Sequence, residues 1–380
     1  MTELYLIRHA QAEGNRYRMM QGRWDGDVTP LGYRQIEALA CSFAARRIDA
    51  VWSSDLYRAS ETAKGLIKAH ENLSIQYDDR LREIDQGPWT TAFFGDLLHD
   101  SREDIDRFMH ESDKWHIDGA ETFADVAERG YAAISDIARA NEGKSVAVVS
   151  HGITIRCILW KITGAPINDV AALPICWNTA FCRLIYDDGR FYVKKINNCE
   201  HLSHLPKQSW DRTPVLRAEP FDPASDPEFY TSCYSDAWMT AHGSLMGFDP
   251  MTYLSSAKKH YAADRRAVLR LYDGEEVAGL LDLDPVKGIT SGYGWISLLY
   301  LKEGYRHCGC GIQVLGRAMI YYQSRGRGAM RLSVAAQNVE ALAFYEKWGF
   351  KPLASTRAST GALIEMEKKI RKKGSSHEAV

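Results

Sequence analysis

Two arginines and two histidines stand just beyond three short apolar runs in the first half of the chain. Arg8 and His9 follow the first run, Arg58 lies shortly after the second, and His151 follows the third. Ligands of open α/β sheets bind beyond the carboxyl ends of strands, and arginine forks match the oxygens of a phosphate dianion. Because neighbouring cations lower a histidine pKa, both imidazoles should be neutral and His9 nucleophilic. The set therefore predicts a phosphate pocket in which His9 attacks phosphorus.

A second segment with chemical potential, Arg306–Gly311, lies between an apolar strand pattern and an apolar helix pattern. Gly309 and Gly311 allow a ligand to approach the backbone closely, and amides at the start of a helix can converge on a pyrophosphate. Taken by itself, the same pattern also fits an ordinary strand-to-helix turn. The segment predicts a pyrophosphate loop only together with its downstream context.

The elements that must position these residues form two unrelated patterns. From residue 1 to about 200, apolar strands alternate with amphipathic helices, one of them capped by Thr29 and started by Pro30, which predicts a layered α/β domain. Prolines are dense between residues 205 and 227 and disfavour helix and sheet interiors, which places a boundary near residue 210. The expected strands are Leu4–Ile7, Ala50–Trp52, Val146–Val149, Phe181–Tyr186, Phe191–Ile196, Ala267–Tyr272, Val277–Leu283, Ile296–Leu301 and Met330–Val334.

Composition excludes several classes of protein. The 380 residues carry 47 Lys and Arg against 49 Asp and Glu, and this near-neutral balance gives no electrostatic case for a nucleic-acid or polybasic membrane partner. No stretch approaches the roughly 20 apolar residues that cross a bilayer. Eight cysteines are too dilute for a disulfide framework. We therefore expect a cytoplasmic protein with reduced thiols, whose oligomeric state the sequence leaves open.

Five ordered motifs extend the first pattern: Leu6–His9 with Asn15; Gln21-Gly22 with Asp27–Thr29; Ser53–Leu56 with Arg58 and Glu61–Ala63; Leu81–Asp85; and Val149–Gly152. Together they resemble the histidine phosphatase superfamily, which includes the cofactor-dependent phosphoglycerate mutases, over roughly residues 3–200. The resemblance implies a three-layer α/β/α domain in which His9 becomes phosphorylated. It implies that Arg8, Arg58 and His151 bind the phosphate and that Asn15 and Gln21 contact the substrate. Glu83 matches the acid that protonates the leaving oxygen and then activates water.

Some positions depart from that pattern. Ala12 stands where Ser or Thr is common, and Trp89-Thr90-Thr91 replaces a frequent Trp-Glu-Gly. The charged insert around Asp96–Trp115 has no phosphoglycerate signature. Hydrolysis of a small phosphomonoester is favoured over mutase chemistry by analogy with the superfamily. A mutase and a non-catalytic module remain the alternatives for this half.

In the second half, Asn338, Ala341, Phe344-Tyr345 and Trp348–Pro352 follow the loop and a strand in order. The run resembles the GNAT superfamily of acyl-CoA-dependent N-acyltransferases over roughly residues 213–370. The resemblance implies an α/β domain that uses acetyl-CoA to acetylate the amine of a small molecule directly. In it, Tyr345 protonates the departing thiolate. The positions implied to bind acetyl-CoA are Tyr300, Leu301, Arg306, His307, Cys308, Gly309, Cys310, Gly311 and Asn338.

The sequence thus predicts a bifunctional enzyme, a phosphatase joined to an acetyltransferase, with one catalytically inactive half as the alternative. Neither half should require a metal, because arginines and histidines supply the charge for the phosphate. The expected divisions are 1–205 for the first domain, 206–226 for a linker and entry, 213–370 for the second domain, and 371–380 for a disordered tail. The aromatic segment Phe229–Tyr253 should form a wall of the acceptor site, although Tyr234, Trp238 and Met239 have the spacing of core residues. The sequence identifies no general base for acetyl transfer.

Overall fold

The computed structural model describes residues 1–68, 70, 72–169, 172–174, 176–206, 213–358 and 361–371. The predicted boundary near residue 210 and nearly all of the predicted tail lie outside these residues. Two sheets of six and seven strands, each covered by helices, make up the described chain. Within these ranges, no helix is both long and apolar enough to cross a membrane.

The first sheet holds the strands of the first half in the order β3-β2-β4-β1-β5-β6. The first four of these run parallel, and β5 and β6 form an antiparallel hairpin along the edge next to β1. All five strands predicted in this half are confirmed; β3 was not predicted. The strands are β1 (Thr2–Arg8), β2 (Ala50–Ser53), β3 (Ile75–Tyr77), β4 (Ser145–Ser150), β5 (Phe181–Asp187) and β6 (Arg190–Asn198).

Helices cover both faces of this sheet, as the alternation in β1 requires. Leu4 and Leu6 face a cluster with the sixth and seventh helices, whereas Tyr5 and Ile7 face the second and third. The three-layer α/β/α fold is therefore confirmed. Thr29 caps the second helix by accepting from the Gly32 amide at 3.0 Å. The helices are α1 (Glu13–Tyr17), α2 (Pro30–Phe43), α3 (Tyr57–Ile67), α4 (Phe94–Asp100), α5 (Arg102–His110), α6 (Phe123–Ala140) and α7 (Gly152–Thr163).

The second sheet has the order β12-β13-β11-β10-β9-β8-β7, and its strands are antiparallel except for the pair β10 and β11. This pair is in register only from Tyr293 to Trp295, beyond which the two strands diverge. The strands are β7 (Arg217–Pro220), β8 (Val268–Asp273), β9 (Glu276–Asp284), β10 (Tyr293–Leu301), β11 (Ala329–Ala335), β12 (Lys351–Ala358) and β13 (Gly361–Lys369). The helices are α8 (Pro227–His242), α9 (Pro250–Ala263), α10 (Cys310–Gln323) and α11 (Val339–Lys347).

The two halves pack against each other through a shared hydrophobic cluster. Tyr17, Trp24 and Phe93 of the first half are buried in the same cluster as Val314 and Leu315 of α10. The short helix α1 lies directly on α10. The proline-rich joint therefore connects two docked domains.

Candidate active sites

The first site forms where β1 and β4 end side by side. These strands are parallel neighbours, with Arg8 opposite Ser150, and the His9 amide donates to the Ser150 carbonyl at 2.9 Å. The residues that follow the two strands, His9 and His151, therefore lie at the same edge of the sheet, and the centres of their rings are 5.1 Å apart. The structure brings the two predicted histidines together.

The hydrogen bonds of His9 define its tautomer. Its Nδ1 lies 2.7 Å from the Ala10 carbonyl, which can only accept, so Nδ1 carries the proton. Its Nε2 then accepts from Nε of Arg58 at 3.3 Å. Burial, followed by the charges of Arg58 and Arg8, holds the His9 pKa well below its ordinary value. His9 is thus a neutral imidazole with a lone pair on Nε2, which is the nucleophilic form.

Arg58 is held rigidly beside this nitrogen. Its side chain is 1% exposed, and its two terminal nitrogens donate to the carbonyls of Trp24 and Gly22 at 2.7 and 2.8 Å. Asp25 Oδ1 lies 3.8 Å from Arg58 Nη1, and Asp25 Oδ2 accepts a hydrogen bond from the Tyr57 amide at the start of α3. The guanidinium therefore joins the loop after α1 to the nucleophile.

Arg8 and His151 each contribute a buried nitrogen with no hydrogen-bond partner among the described residues. Arg8 donates through Nη1 to the Cys176 carbonyl, while its Nε, which lies against Gly152, is unpaired. His151 bonds Ser54 Oγ through Nε2 at 2.9 Å, and its Nδ1 is unpaired. Burial and then Arg58 lower the His151 pKa well below its ordinary value. Buried unpaired nitrogens are uncommon, and two in one site fit an anion that would accept from them.

Glu83 is fixed at the first turn of α7. Oε1 accepts from the Thr154 amide and hydroxyl at 3.1 and 3.2 Å and from the Ile84 amide at 3.2 Å, and Oε2 accepts from the Ile153 amide at 3.3 Å. Helix amino termini favour a carboxylate in this position. The same turn follows His151, so one helix start orients both the predicted acid and a predicted phosphate ligand.

Asn15 and Gln21 lie in the segment that leaves the site. The Asn15 side chain accepts from the Ala12 amide at 2.9 Å. Gln21 packs on Gly14, where a Cβ would come within 2.4 Å of its Cγ, and its Oε1 is buried without a partner in the described chain. Asn178, which the sequence analysis missed, donates to the His9 carbonyl at 2.9 Å. No motif signals that contact.

The second site consists of two cavities that meet at Tyr345. A cavity of about 730 Å³ lies beside the predicted pyrophosphate loop, and one of about 520 Å³ lies between α8, α9 and the diverging strands β10 and β11. Leu299, Asn338, Ala341 and Tyr345 line both. Burial raises the pKa of the Tyr345 phenol, which therefore stays protonated. We call the cavity of about 730 Å³ the loop cavity and the cavity of about 520 Å³ the strand cavity.

The predicted loop residues divide between the loop cavity and the interior. Leu301 and four of the six loop residues line the cavity, and Gly309 has a φ of +90°, which favours glycine. Tyr300 and Cys310 instead place their side chains in the core, and Cys308 points its thiol at the Tyr305 carbonyl. Any contact of these three with a cofactor would therefore be made by backbone atoms.

The strand cavity combines aromatic and acidic surfaces. Tyr234 and Trp238 line it while also packing on the rings of Phe248 and Tyr253, and Met239 is 42% exposed. At its other side His260 bridges Asp282 at 2.7 Å and Asp284 at 3.4 Å.

Burial lowers the His260 pKa, but the hydrogen bonds and charges of the two aspartates outweigh burial and raise it. No sequence pattern marks this group, because α9 and β9 are brought together only by folding. In the described parts of the chain, no group of three or more His, Cys, Asp or Glu side chains could hold a metal ion.

Comparison with protein-family models gives two matches. The model described as the histidine phosphatase superfamily (branch 1) matches residues 4–199. The model described as the acetyltransferase (GNAT) family matches residues 228–350. Both resemblances seen in the sequence are therefore confirmed.

Individual related proteins match the first half of this chain. Phosphoserine phosphatase 1 of Hydrogenobacter thermophilus is 28% identical over 205 residues, which are 54% of this chain and 96% of that protein. A probable phosphoglycerate mutase GpmB of Salmonella choleraesuis is 26% identical over 213 residues, 56% of this chain and 98% of the relative. The solved structure of Bacillus stearothermophilus YhfR matches with 27% identity and a TM-score of 0.51, over 53% of this chain and 100% of its own.

Proposed function

This chain belongs to the histidine phosphatase superfamily and carries a second domain of the acetyltransferase (GNAT) family, and from this premise we propose a cytoplasmic bifunctional enzyme. The first domain hydrolyses a small phosphomonoester. The second transfers an acetyl group from acetyl-CoA to an amine. The division of the chain remains the one expected from the sequence, 1–205 and 213–370 with the joint between them.

The neutral, buried Nε2 of His9 carries the phosphatase proposal. His9 attacks phosphorus through this lone pair, the bond between phosphorus and the ester oxygen breaks, and Glu83 gives the leaving oxygen its proton. Arg8, Arg58 and His151 hold the remaining oxygens. Water then attacks the phosphorus of the phosphohistidine, Glu83 takes a proton of that water, and the bond between phosphorus and Nε2 of His9 breaks, which releases inorganic phosphate. The unpaired nitrogens of Arg8 and His151 are the donors available to the phosphate.

His9→Ala tests this proposal. Turnover of an aryl phosphate should fall by about 10⁴-fold or more because the covalent route is lost. His201→Ala is the matched control, since His201 is a partly buried histidine of the same domain, hydrogen-bonded to Thr179. Acid-labile phosphate trapped from substrate should map to His9. Label on another residue, or turnover unaffected by the change, would overturn the mechanism.

The relatives suggest the first substrates to test. Phosphoserine follows from the named phosphoserine phosphatase, and phosphoglycerates follow from the probable mutase. Mutase activity is the second candidate, favoured by that latter relative. Incubating 3-phosphoglycerate with and without a bisphosphate donor separates the two, because a mutase yields the isomeric monophosphate whereas a phosphatase yields inorganic phosphate.

The meeting of two cavities at Tyr345 carries the acetyltransferase proposal. Acetyl-CoA supplies the acetyl group when bound. The glycine loop and the cavity beside it fit its phosphates, and Asn338 and the edge of β10 would hold its arm. Tyr345, protonated and common to both cavities, would give a proton to the thiolate. Asp284, which is 20% exposed, would attract a positively charged amine into the strand cavity, with Tyr234 and Trp238 as the aromatic side of that cavity.

A panel of primary amines with acetyl-CoA, scored by thiol release, tests this activity. The panel includes phosphoserine and serine, because one compound with an amine and a phosphate could serve both domains. Asp284→Asn should raise KM for a cationic amine by about tenfold or more, while Asp273→Asn, on the hairpin turn of the same sheet, serves as control. Absence of acetyl-CoA binding by the full chain would make the second domain a non-catalytic module.

A further inference from the structure

Helix α1 connects the two sites. It begins at Glu13, four positions after His9, and packs against α10, whose first residues, Cys310 and Gly311, are the last residues of the glycine loop. Tyr17 at its end is fully buried on α10 at Gly316, where a Cβ would lie 2.5 Å from the tyrosine Cγ. The close approach therefore depends on a glycine at that position, and α1 rests on the backbone of the second domain.

Two ion pairs also join the first half to the second half. Glu13 pairs with Lys368 at 2.7 Å, and both side chains are 6% exposed. Arg317 binds both oxygens of Asp96 at 2.7 and 2.8 Å. The Glu13–Lys368 pair is deeply buried and therefore costly to separate, because each partner would leave an uncompensated charge. The domains therefore hold α1 in one position.

That position directs Arg16 into the loop cavity. Arg16 lines the cavity together with Arg306, His307, Gly309 and Gly311 of the loop. A Cβ built on Gly309 would lie 3.6 Å from Arg16 Nη2, so the guanidinium is next to the backbone that the proposed function assigns to the pyrophosphate. A residue of the phosphatase domain thus lines the cofactor cavity of the other domain.

The neighbouring cations of the loop have protein partners. Arg306 binds Asp236 at 2.7 Å and the Leu301 carbonyl at 2.8 Å, and His307 lies 3.5 Å from Glu340. Arg16 is half-buried, and within the described ranges no ion pair or hydrogen bond of its side chain is found. Burial lowers its pKa with no acid opposing that effect. An anionic ligand would supply the missing counter-charge.

We propose that Arg16 binds a phosphate group of acetyl-CoA, so that the acyl-CoA site is built from both domains. The inference rests on the proposed acetyltransferase function. The planar fork of arginine matches two phosphate oxygens, and a charge-assisted contact of this kind changes affinity by about tenfold or more when it is removed. The phosphate is either the pyrophosphate or the 3′-phosphate of the nucleotide.

Calorimetric titration of the full chain with acetyl-CoA tests the proposal. Arg16→Ala should weaken Kd by about tenfold or more, Arg16→Lys should weaken it less, and Arg34→Ala, which removes an exposed arginine of the same domain, should leave it unchanged. Arg16→Gln keeps most of the side chain and replaces the alanine variant if the latter does not fold. Equal thermal unfolding of ligand-free variants shows that α1 has kept its packing.

Repeating the titration with acetyl-dephospho-CoA locates the contact. If Arg16→Ala loses the same factor with both ligands, Arg16 binds the pyrophosphate, and if the loss disappears, it binds the 3′-phosphate; either result supports the proposal. Unchanged affinity of Arg16→Ala and Arg16→Gln for acetyl-CoA would overturn it. Failure of the wild-type chain to bind acetyl-CoA would instead refute the proposed acetyltransferase function.

Discussion

Replacing Glu83 by glutamine tests the acid–base role while keeping the shape of the site. Three of the four donors around the carboxylate reach Oε1, so the amide oxygen should take that position and the amide nitrogen should face the Ile153 amide. The variant then loses one hydrogen bond of 3.3 Å, which corresponds to about 1 kcal/mol of unfolding free energy. A loss of this size lowers Tm by roughly 2–4 °C for a domain of this size. The variant should therefore remain folded at 25 °C.

The effect on catalysis should depend on the leaving group. An alkyl alcohol leaves as a strongly basic oxygen and needs the proton, so its kcat/KM should fall by about 10²–10³. A nitrophenolate needs little protonation, and its kcat/KM should fall by less than about tenfold. Steady-state rates with phosphoserine and with p-nitrophenyl phosphate measure the ratio.

Glu121→Gln is the control for this experiment. Glu121 is a partly buried carboxylate of the same domain, bound by Arg129 and the Asp85 amide. Its removal should change the two rates by the same factor. Equal slowing of both substrates by Glu83→Gln would refute the assignment of Glu83 as the acid.

Three further predictions follow from the sites. Because burial, with Arg58 as the next cause, lowers the pKa of His9 and His151, the unfolded chain takes up protons below pH 6.5 that the folded protein does not. The free energy of unfolding should therefore fall by about 1 kcal/mol per histidine between pH 6.5 and 5.5. Urea unfolding of the double variant His9→Ala/His151→Ala should lack this pH-dependent component. The same pH dependence in the double variant and the wild-type protein would contradict the prediction. Tyr345→Phe should lower kcat for acetyl transfer by about 10²-fold with little change in the Kd of acetyl-CoA, whereas Tyr305→Phe should alter neither quantity. Weaker binding of acetyl-CoA with a normal kcat would instead make Tyr345 a binding residue. Gly309→Ala should weaken the binding of acetyl-CoA by about tenfold, because a φ of +90° is strained for a residue with a side chain. Gly304→Ala, whose added methyl group would meet open space, should bind acetyl-CoA normally. Equal binding by both variants would show that the loop is not part of the cofactor site.

The convergence of residues in the candidate phosphate site was largely predictable because these residues stand at strand ends. Parallel neighbouring strands finish at one edge of a sheet, so Arg8, His9 and His151 had to converge once β1 and β4 were recognised. The helix cap at Thr29 was equally local. In contrast, the bond from Asn178 to the His9 carbonyl joins residues 169 positions apart, and no pattern in either segment marks it.

The second domain shows why periodicity is a weaker guide inside a cavity. Tyr234 and Trp238 have the spacing of a buried helix face, and they pack on Phe248 and Tyr253, but they also line a cavity. Spacing reports the direction of a side chain and not what fills the space opposite. Arg16 could not be assigned either, because its surroundings come from the other domain.

The shared cluster at α1 and α10 also affects how the chain emerges during synthesis. The hydrogen bond between Trp24 and Gln323 spans 299 positions, and Tyr17 and Phe93 lie in the same cluster. Translation at about 5–20 residues per second leaves an interval of several seconds between completion of the first domain and appearance of α10. During this interval the nascent phosphatase domain presents an apolar aromatic patch to the surroundings of the ribosome. When the acetyltransferase domain folds, α10 packs on that patch and buries it.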